Sequence, residues 1–112
     1  MGSYTVPAGS ISAHDKTLVG STVDTVTFDG TGGGVFGGTP TGAASTVEIL
    51  SDGTAAIYFT TDGTVPTVSG ANTYKLPLGT VSALQVAPLD NNGTIVVKLI
   101  SAGTPVYSVS IA

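Results

Sequence analysis

A glycine-rich segment contains the spacing that nucleotide-binding loops use. Gly32 to Gly37 reads Gly-Gly-Gly-Val-Phe-Gly and matches the pattern G-x-G-x-x-G. In that motif the glycines let the backbone approach a pyrophosphate, which meets the N-terminus of a following helix. Here Gly38-Thr39-Pro40 follows, and no helical pattern comes after it. The segment therefore does not predict a dinucleotide site, and we expect no cofactor.

Few side chains stand where acid–base or nucleophilic chemistry needs them. His14 is the single histidine, with Asp15 beside it, and its surroundings do not indicate the buried acid and positioned nucleophile of a catalytic relay. The acid spacing of a calcium loop is absent. Other acids stand in or near turns that contain glycine, where aspartate caps its own turn: Asp29, Asp52, Asp62 and Asp90. We therefore predict no catalytic residue, no metal site and no enzymatic activity.

The composition argues against several classes of function. The 112 residues include only three lysines and arginines, too few to follow the backbone of a nucleic acid, and the formal net charge is −4. The absence of cysteine excludes disulfides and thiolate metal sites. We expect no membrane span and no signal peptide, since no long apolar run occurs. The charged fraction of 9% leaves small neutral residues on the surface, which suits a protein packed into an assembly.

The elements that must position any site are predicted to be short strands. Val, Ile and Thr are abundant, and strong helix formers other than Ala and Leu are scarce. Alternating apolar and polar residues, with turns about every ten residues, predict an all-β fold, an antiparallel β-sandwich. A jelly roll or a small barrel is the alternative. The clearest strand patterns lie at 22–29, 45–50, 81–89, 94–101 and 106–111. The alternation predicts these inward positions in the strands at 45–50 and 106–111: Val47, Ile49, Tyr107, Val109 and Ile111.

The stretch from Ala55 to Leu78 has the pattern of a strand, a long turn and a second strand. Its alternation predicts that Phe59 is buried. Short turns on either side predict two hairpins, one between 45–50 and the strand that starts at Ile57, the other between 81–89 and 94–101. The strand at 94–101 is largely apolar on both faces, which indicates a strand that is central or covered on both faces.

Asp24 is an exception in the strand pattern at 22–29, because it falls on the same face as Val26 and Phe28. A buried carboxylate without partners is costly. We therefore expect that Asp24 lies near a sheet edge, or that the strand begins after it.

We divide the chain into residues 1–20, an N-terminal arm or irregular edge segment, and residues 21–112, a single β-sandwich domain with a Gly-rich loop at 30–42. Strand residues are committed to the core, so partner binding is expected from the arm and the loop. The loop's apolar pair either covers one end of the core or inserts into a partner. The apolar residues of the arm have no evident place in the sandwich. The residues predicted to bind a partner are Tyr4, Val6, Ile11, Val35 and Phe36.

Residues 57–67 read Ile-Tyr-Phe-Thr-Thr-Asp-Gly-Thr-Val-Pro-Thr. They resemble the I-Y-Y-T-T-D-G-S-x-P-T signature of bacterial immunoglobulin-like modules of the chitobiase C-terminal type. In that family the segment is a strand running into a turn, and the module is an accessory to the catalytic part. The resemblance implies an immunoglobulin-like sandwich and, as one alternative function, carbohydrate binding. The absence of Trp counts against sugar binding, which uses exposed aromatic rings.

The chain also resembles small structural proteins of tailed bacteriophages, through Thr60 to Thr67 followed by Tyr74-Lys75-Leu76-Pro77. This resemblance implies a virion structural protein, first of all a capsid decoration (cement) protein made in the host cytoplasm. Its expected partners are the major capsid protein and copies of itself, in a symmetric oligomer for which a trimer is the first guess. A minor tail or fibre-associated protein is the alternative.

Overall fold

The computed structural model describes residues 2–6, 12–28, 35–36, 39–40, 45–77, 79–86 and 94–111. In those residues every regular element is a strand, and no helix is long and apolar enough to cross a membrane. In chain order the strands are β1 (Ser3–Val6), β2 (Ser12–Thr17), β3 (Asp24–Phe28), β4 (Val35–Phe36), β5 (Thr39–Pro40), β6 (Ser45–Ser51), β7 (Ile57–Thr60), β8 (Tyr74–Leu76), β9 (Val81–Val86), β10 (Ile95–Ile100) and β11 (Val106–Ile111).

Nine of the described strands form two sheets. Sheet A has the order β1-β3-β10-β7-β8, and sheet B has the order β2-β11-β6-β9. The strands β4 and β5 pair with each other. Residues from both sheets share one hydrophobic cluster, so the sheets lie face to face. The predicted all-β sandwich is confirmed, and the sheets do not close into a barrel.

One pairing departs from the all-antiparallel prediction. β1 runs parallel to β3, with Val6 beside Phe28. The chain leaves sheet A after β1, adds β2 to sheet B and returns to sheet A as β3. The chain reverses its direction once on the way to sheet B and again on the way back. β3 therefore runs in the same direction as β1, which explains the parallel pair.

The core is made from alternate residues of the strands in both sheets. The inward positions predicted for β6 and β11 are buried, and Phe59 of β7 is 1% exposed, as predicted. β10 occupies the centre of sheet A, in agreement with the expected central strand; on its other face Ile100 is buried, whereas Val96 and Lys98 are half-buried. The largest fully buried side chains are Tyr107, Phe28, Phe59, Leu18, Ile49, Ile57, Leu76, Ile95 and Leu99.

The strand–turn–strand prediction for 55–78 is confirmed, since β7 and β8 pair antiparallel with Phe59 beside Tyr74. Both predicted hairpins are wrong. β6 belongs to sheet B and β7 to sheet A, and β9 and β10 are divided in the same way. The connections from β6 to β7 and from β9 to β10 therefore cross between the sheets. In sheet B, β6 pairs with β9 and β11, and in sheet A, β10 lies between β3 and β7.

The N-terminal residues in the described part of the chain belong to the sheets. β1 is an edge strand of sheet A and β2 an edge strand of sheet B. Val6 is 3% exposed and lies in the core cluster, and Tyr4 packs against that cluster. The expectation that Tyr4 and Val6 lack a place in the sandwich is therefore wrong, because the parallel pairing with β3 carries their side chains inward.

Asp24 is buried in the interior of the sandwich, which corrects the expectation from its position in the sequence. It is the first residue of β3, an inner strand of sheet A, and is 1% exposed. Its carboxylate accepts hydrogen bonds from the Tyr107 hydroxyl at 2.9 Å and from the Gly2 N–H at 2.8 Å. These donors satisfy the buried carboxylate and join the two sheets through a polar contact.

Candidate functional site

The connection between β7 and β8 begins with a turn held by Asp62. Gly63 has a φ of 84°, a left-handed conformation that glycine adopts without steric cost. The Asp62 carboxylate accepts hydrogen bonds from the hydroxyl of Thr64 at 2.6 Å and from its N–H at 3.1 Å. The Thr60 hydroxyl donates to the Thr64 carbonyl at 2.5 Å. The side-chain hydrogen bond from Thr64, followed by that from its backbone, lowers the pKa of Asp62, so the carboxylate stays ionised.

The same chemistry recurs ten residues earlier, at Asp52-Gly53-Thr54. Asp52 accepts hydrogen bonds from the N–H of Thr54 at 3.1 Å and from its hydroxyl at 3.0 Å, and Gly53 has a φ of 94°. The backbone hydrogen bond from Thr54 is the largest cause of the lowered pKa of Asp52. Both acids act as turn formers, which matches the role predicted for them.

The second half of the connection is tied to β7. The Ser69 hydroxyl donates to the Tyr58 hydroxyl at 3.2 Å, and Ser69 itself has a φ of 58°. The Gly70 N–H donates to the Thr67 carbonyl, and the Thr73 hydroxyl donates to the Gly70 carbonyl at 2.7 Å. These bonds give a long connection a defined path back to β8.

The two ends of this connection enclose a surface cleft of about 220 Å³. Five of the residues that line it are polar and the sixth is aromatic: Thr60, Thr61, Asp62, Asn72, Thr73 and Tyr74. The hairpin pairing of β7 with β8 brings them together, although they are separated in sequence by the whole turn. We refer to this feature as the hairpin cleft.

Tyr74 gives the hairpin cleft an aromatic wall. Its ring stacks on Phe59, with the ring centroids 5.3 Å apart and an interplanar angle of 27°. Phe59 is buried whereas Tyr74 is 53% exposed, so the core fixes a ring that solvent still reaches. An exposed ring beside a carboxylate and an amide can bind a polar ligand that also has an apolar face. Among the described residues that line the cleft, Asp62 is the one acid, whereas glycoside hydrolysis uses a pair.

The residues predicted to bind a partner do not form one site in the described part of the chain. Tyr4 is partly buried, with the ammonium of Lys16 4.5 Å from the centre of its ring, and Val6 is in the core. Ile11 lies outside the described residues. Val35 and Phe36 form β4, which pairs with β5, and the structure describes only their strand pairing. Whether this pair covers the core or meets a partner stays a prediction.

The motif at 32–37 is described only at Val35 and Phe36, which form a strand. His14 and Asp15 lie in β2. No group of three or more His, Cys, Asp or Glu residues is placed to hold a metal among the residues that the structure describes. The hairpin cleft was not predicted. The signal available for it was the strand–turn–strand pattern, which places 60–62 and 72–74 at the same end of a hairpin.

Two face-to-face sheets, with short connections that cross between them and a β7–β8 hairpin that carries the turn at Asp62-Gly63, define an immunoglobulin-like β-sandwich module. The family model of the Chitobiase/beta-hexosaminidase C-terminal domain matches residues 36–105. That match covers more than half of the chain, so the chain belongs to this family. No curated protein and no solved structure matches it.

Proposed function

We propose that this chain is a non-enzymatic structural protein of a bacteriophage virion, and that it decorates the capsid surface by binding the major capsid protein and copies of itself. The observation that carries the proposal is the outer face of sheet B. In the described strands β6, β9 and β11 this face carries a single charged side chain, that of Glu48. Its other members are Thr46, Leu50, Val81, Ala83, Gln85, Val106, Ser108 and Ser110.

This neutral face is suited to burial against another protein. The centres of protein interfaces are depleted in charge, because desolvating an unpaired charge is costly whereas small hydroxyl and apolar groups are buried readily. Leu50 and Val81 stand opposite each other on neighbouring strands and are 46% and 55% exposed. These two exposed aliphatic side chains, surrounded by small polar ones, offer a partner protein an apolar contact.

A binding experiment on particles tests this role. Leu50→Lys places a charge on the neutral face, and we expect it to remove most of the binding to phage particles that lack the protein. The matched control is Thr5→Lys, an exposed position on β1 of the other sheet, which should bind like the wild type. Cosedimentation of purified protein with particles is the measurement. Equal binding by both variants would contradict the assigned face.

The copy number on intact particles distinguishes the two virion locations. Hundreds of copies on the head agree with decoration, whereas a few copies at the tail agree with a minor tail or fibre-associated protein. Absence from purified particles would overturn both.

The hairpin cleft favours a second candidate function, the binding of carbohydrate. The fixed and half-exposed ring of Tyr74, beside Asp62 and Asn72, has the combination that sugars require, an aromatic face and hydrogen-bonding groups at its rim. The family model is named for chitobiase and β-hexosaminidase domains, so oligomers of N-acetylglucosamine are the appropriate probe.

If the cleft binds sugar, Tyr74→Ala should weaken the binding by about tenfold or more, the loss of one stacked ring. The matched control is Val65→Ala, which removes an exposed apolar side chain outside the cleft. Isothermal titration calorimetry with the oligosaccharides measures both. Absence of any heat with the wild type at millimolar sugar would remove this candidate.

A further inference from the structure

In the described part of the chain, the two large sheets end in the edge strands β1, β8, β2 and β9, which differ in how they are protected. An edge strand exposes unpaired N–H and C=O groups, and proteins shield such edges with charges, proline or short length. β8 has three residues, carries Lys75 and is followed by Pro77. The sequence of β2, SAHDKT, contains three ionisable residues. β1 has four residues, and Lys16 covers its Tyr4 ring.

β9 has none of these protections within its own strand. Its six residues, VSALQV, include no charge and no proline. It pairs with β6 on one side, and no other strand in the described part of the chain pairs with it on the second side. Val81, Ala83 and Gln85 are all exposed.

The register shows which backbone groups face the open side. The Ser51 N–H donates to the Thr80 carbonyl at 3.3 Å, one step beyond the pairing of Leu50 with Val81. Hydrogen-bonded pairs alternate along an antiparallel ladder, so Thr80, Ser82 and Leu84 bond to β6. The N–H and C=O groups of Val81, Ala83 and Gln85 therefore point away from β6.

We propose that β9 pairs antiparallel with β9 of a second copy of this chain, about a twofold axis at Ala83. Ala83 then faces its symmetry mate, and Val81 faces Gln85 of the other copy. Each of these pairs exchanges two backbone hydrogen bonds. The result is one continuous sheet made from the two B sheets. The argument for this pairing does not rest on the proposed virion role, because the pairing is tested in solution and that role is tested on particles.

The lack of charge at the β9 edge favours a second copy of this chain over a partner that presents a charged strand. The nearest strand charge is Glu48, which stands opposite Ala83 on β6. In the pair, the two Glu48 strands are separated by three strand spacings, roughly 14 Å, which exceeds the screening length of about 8–10 Å at ordinary ionic strength. The strand is uncharged and so is its mate, so no like charges meet at the interface.

A self-pairing edge builds a twofold dimer and not the trimer expected from the resemblance to decoration proteins. The interface consists of a single strand and its neighbouring side chains, which is less area than the roughly 1,200 Å² at which stable complexes begin. We therefore expect a weak and reversible dimer whose population rises with protein concentration.

Sedimentation equilibrium of the purified chain tests the pairing. The apparent mass should rise with concentration from 11.0 kDa toward twice that value. Ala83→Pro removes an N–H that points away from β6, so it should leave the fold intact while weakening association by about tenfold or more. Ala83→Ser keeps the N–H and should associate like the wild type. A wild type that stays monomeric or forms a trimer would overturn the proposal.

A pair of charge variants keeps the test valid if Ala83→Pro fails to fold. Ala83→Lys and Ala83→Glu each place like charges opposite each other across the axis, so neither should dimerise alone. Mixed together, they should form a heterodimer. Association of either variant alone at the wild-type level, or no association in the mixture, would show that β9 is not the interface.

Discussion

Replacing Phe59 with alanine should lower the free energy of unfolding by about 3–5 kcal/mol, the usual cost of removing a buried aromatic side chain. The ring is 1% exposed, lies on β7 between β10 and β8, and supports the ring of Tyr74 at 5.3 Å. A domain of this size has a total stability of about 5–15 kcal/mol. The substitution therefore removes a large share of it.

Equilibrium unfolding in urea measures this loss as a lower denaturant midpoint. Phe59→Leu keeps most of the buried volume and should cost less than about 1.5 kcal/mol. Val65→Ala, at a side chain that is 66% exposed, is the surface control and should change stability by less than about 0.5 kcal/mol. An unchanged midpoint for Phe59→Ala would mean that the inward face of β7 has been assigned wrongly.

Replacing Asp24 with alanine should cost about 2–3 kcal/mol, because it leaves the buried Tyr107 hydroxyl and the part-buried Gly2 N–H without their acceptor. Tyr107→Phe should cost less, about 1–2 kcal/mol, since Asp24 keeps the hydrogen bond from Gly2. The double variant should cost less than the sum of the two single changes, which a double-mutant cycle measures. Strict additivity would contradict a direct contact.

The same contact predicts a loss of stability at high pH. Burial, with the hydrogen bond and the negative charge of Asp24, raises the pKa of Tyr107 above its usual value. A group whose pKa is raised by folding contributes stability that is fully present below its unfolded pKa, here about 10, and is lost as the pH rises above it. Thermal melting from pH 8 to 11 should show a steeper decline for the wild type than for Tyr107→Phe. Parallel declines would exclude Tyr107 as the titrating group.

The inward faces of β6, β7 and β11 were predictable from the sequence, but the sheet to which each strand belongs was not. The alternation along β11 identified Tyr107 and Val109 as inward, and both are buried. The turn at Ser51-Asp52-Gly53 reads equally well as a hairpin or as a crossing between sheets, because turn chemistry sets the local bend and not the partner of the next strand. The pairing of β6 with β9 and β11 shows that the chain crosses between the sheets at this turn.

The polar features were predictable only in part. The alternation placed Tyr107 inward, but Asp24 was expected near a sheet edge or before the strand. Their contact joins residues 83 positions apart, which no local pattern reports. The hairpin cleft depends on the exposed side of the Tyr74 ring. Alternation along the strands places Tyr74 on the same face of sheet A as Phe59. It does not indicate that the Tyr74 ring lies at the edge of that face, half exposed to solvent.

The order of strands has a consequence for biosynthesis. β10 lies at the centre of sheet A, and β11 lies between β2 and β6 in sheet B, yet these are the last two strands of the described chain. Until β10 and β11 leave the ribosome, β3 can pair only with β1 among the described strands, and β2 has no pairing partner among them. A nascent chain therefore cannot accumulate a folded N-terminal half, and folding is a single late event limited by long-range pairing.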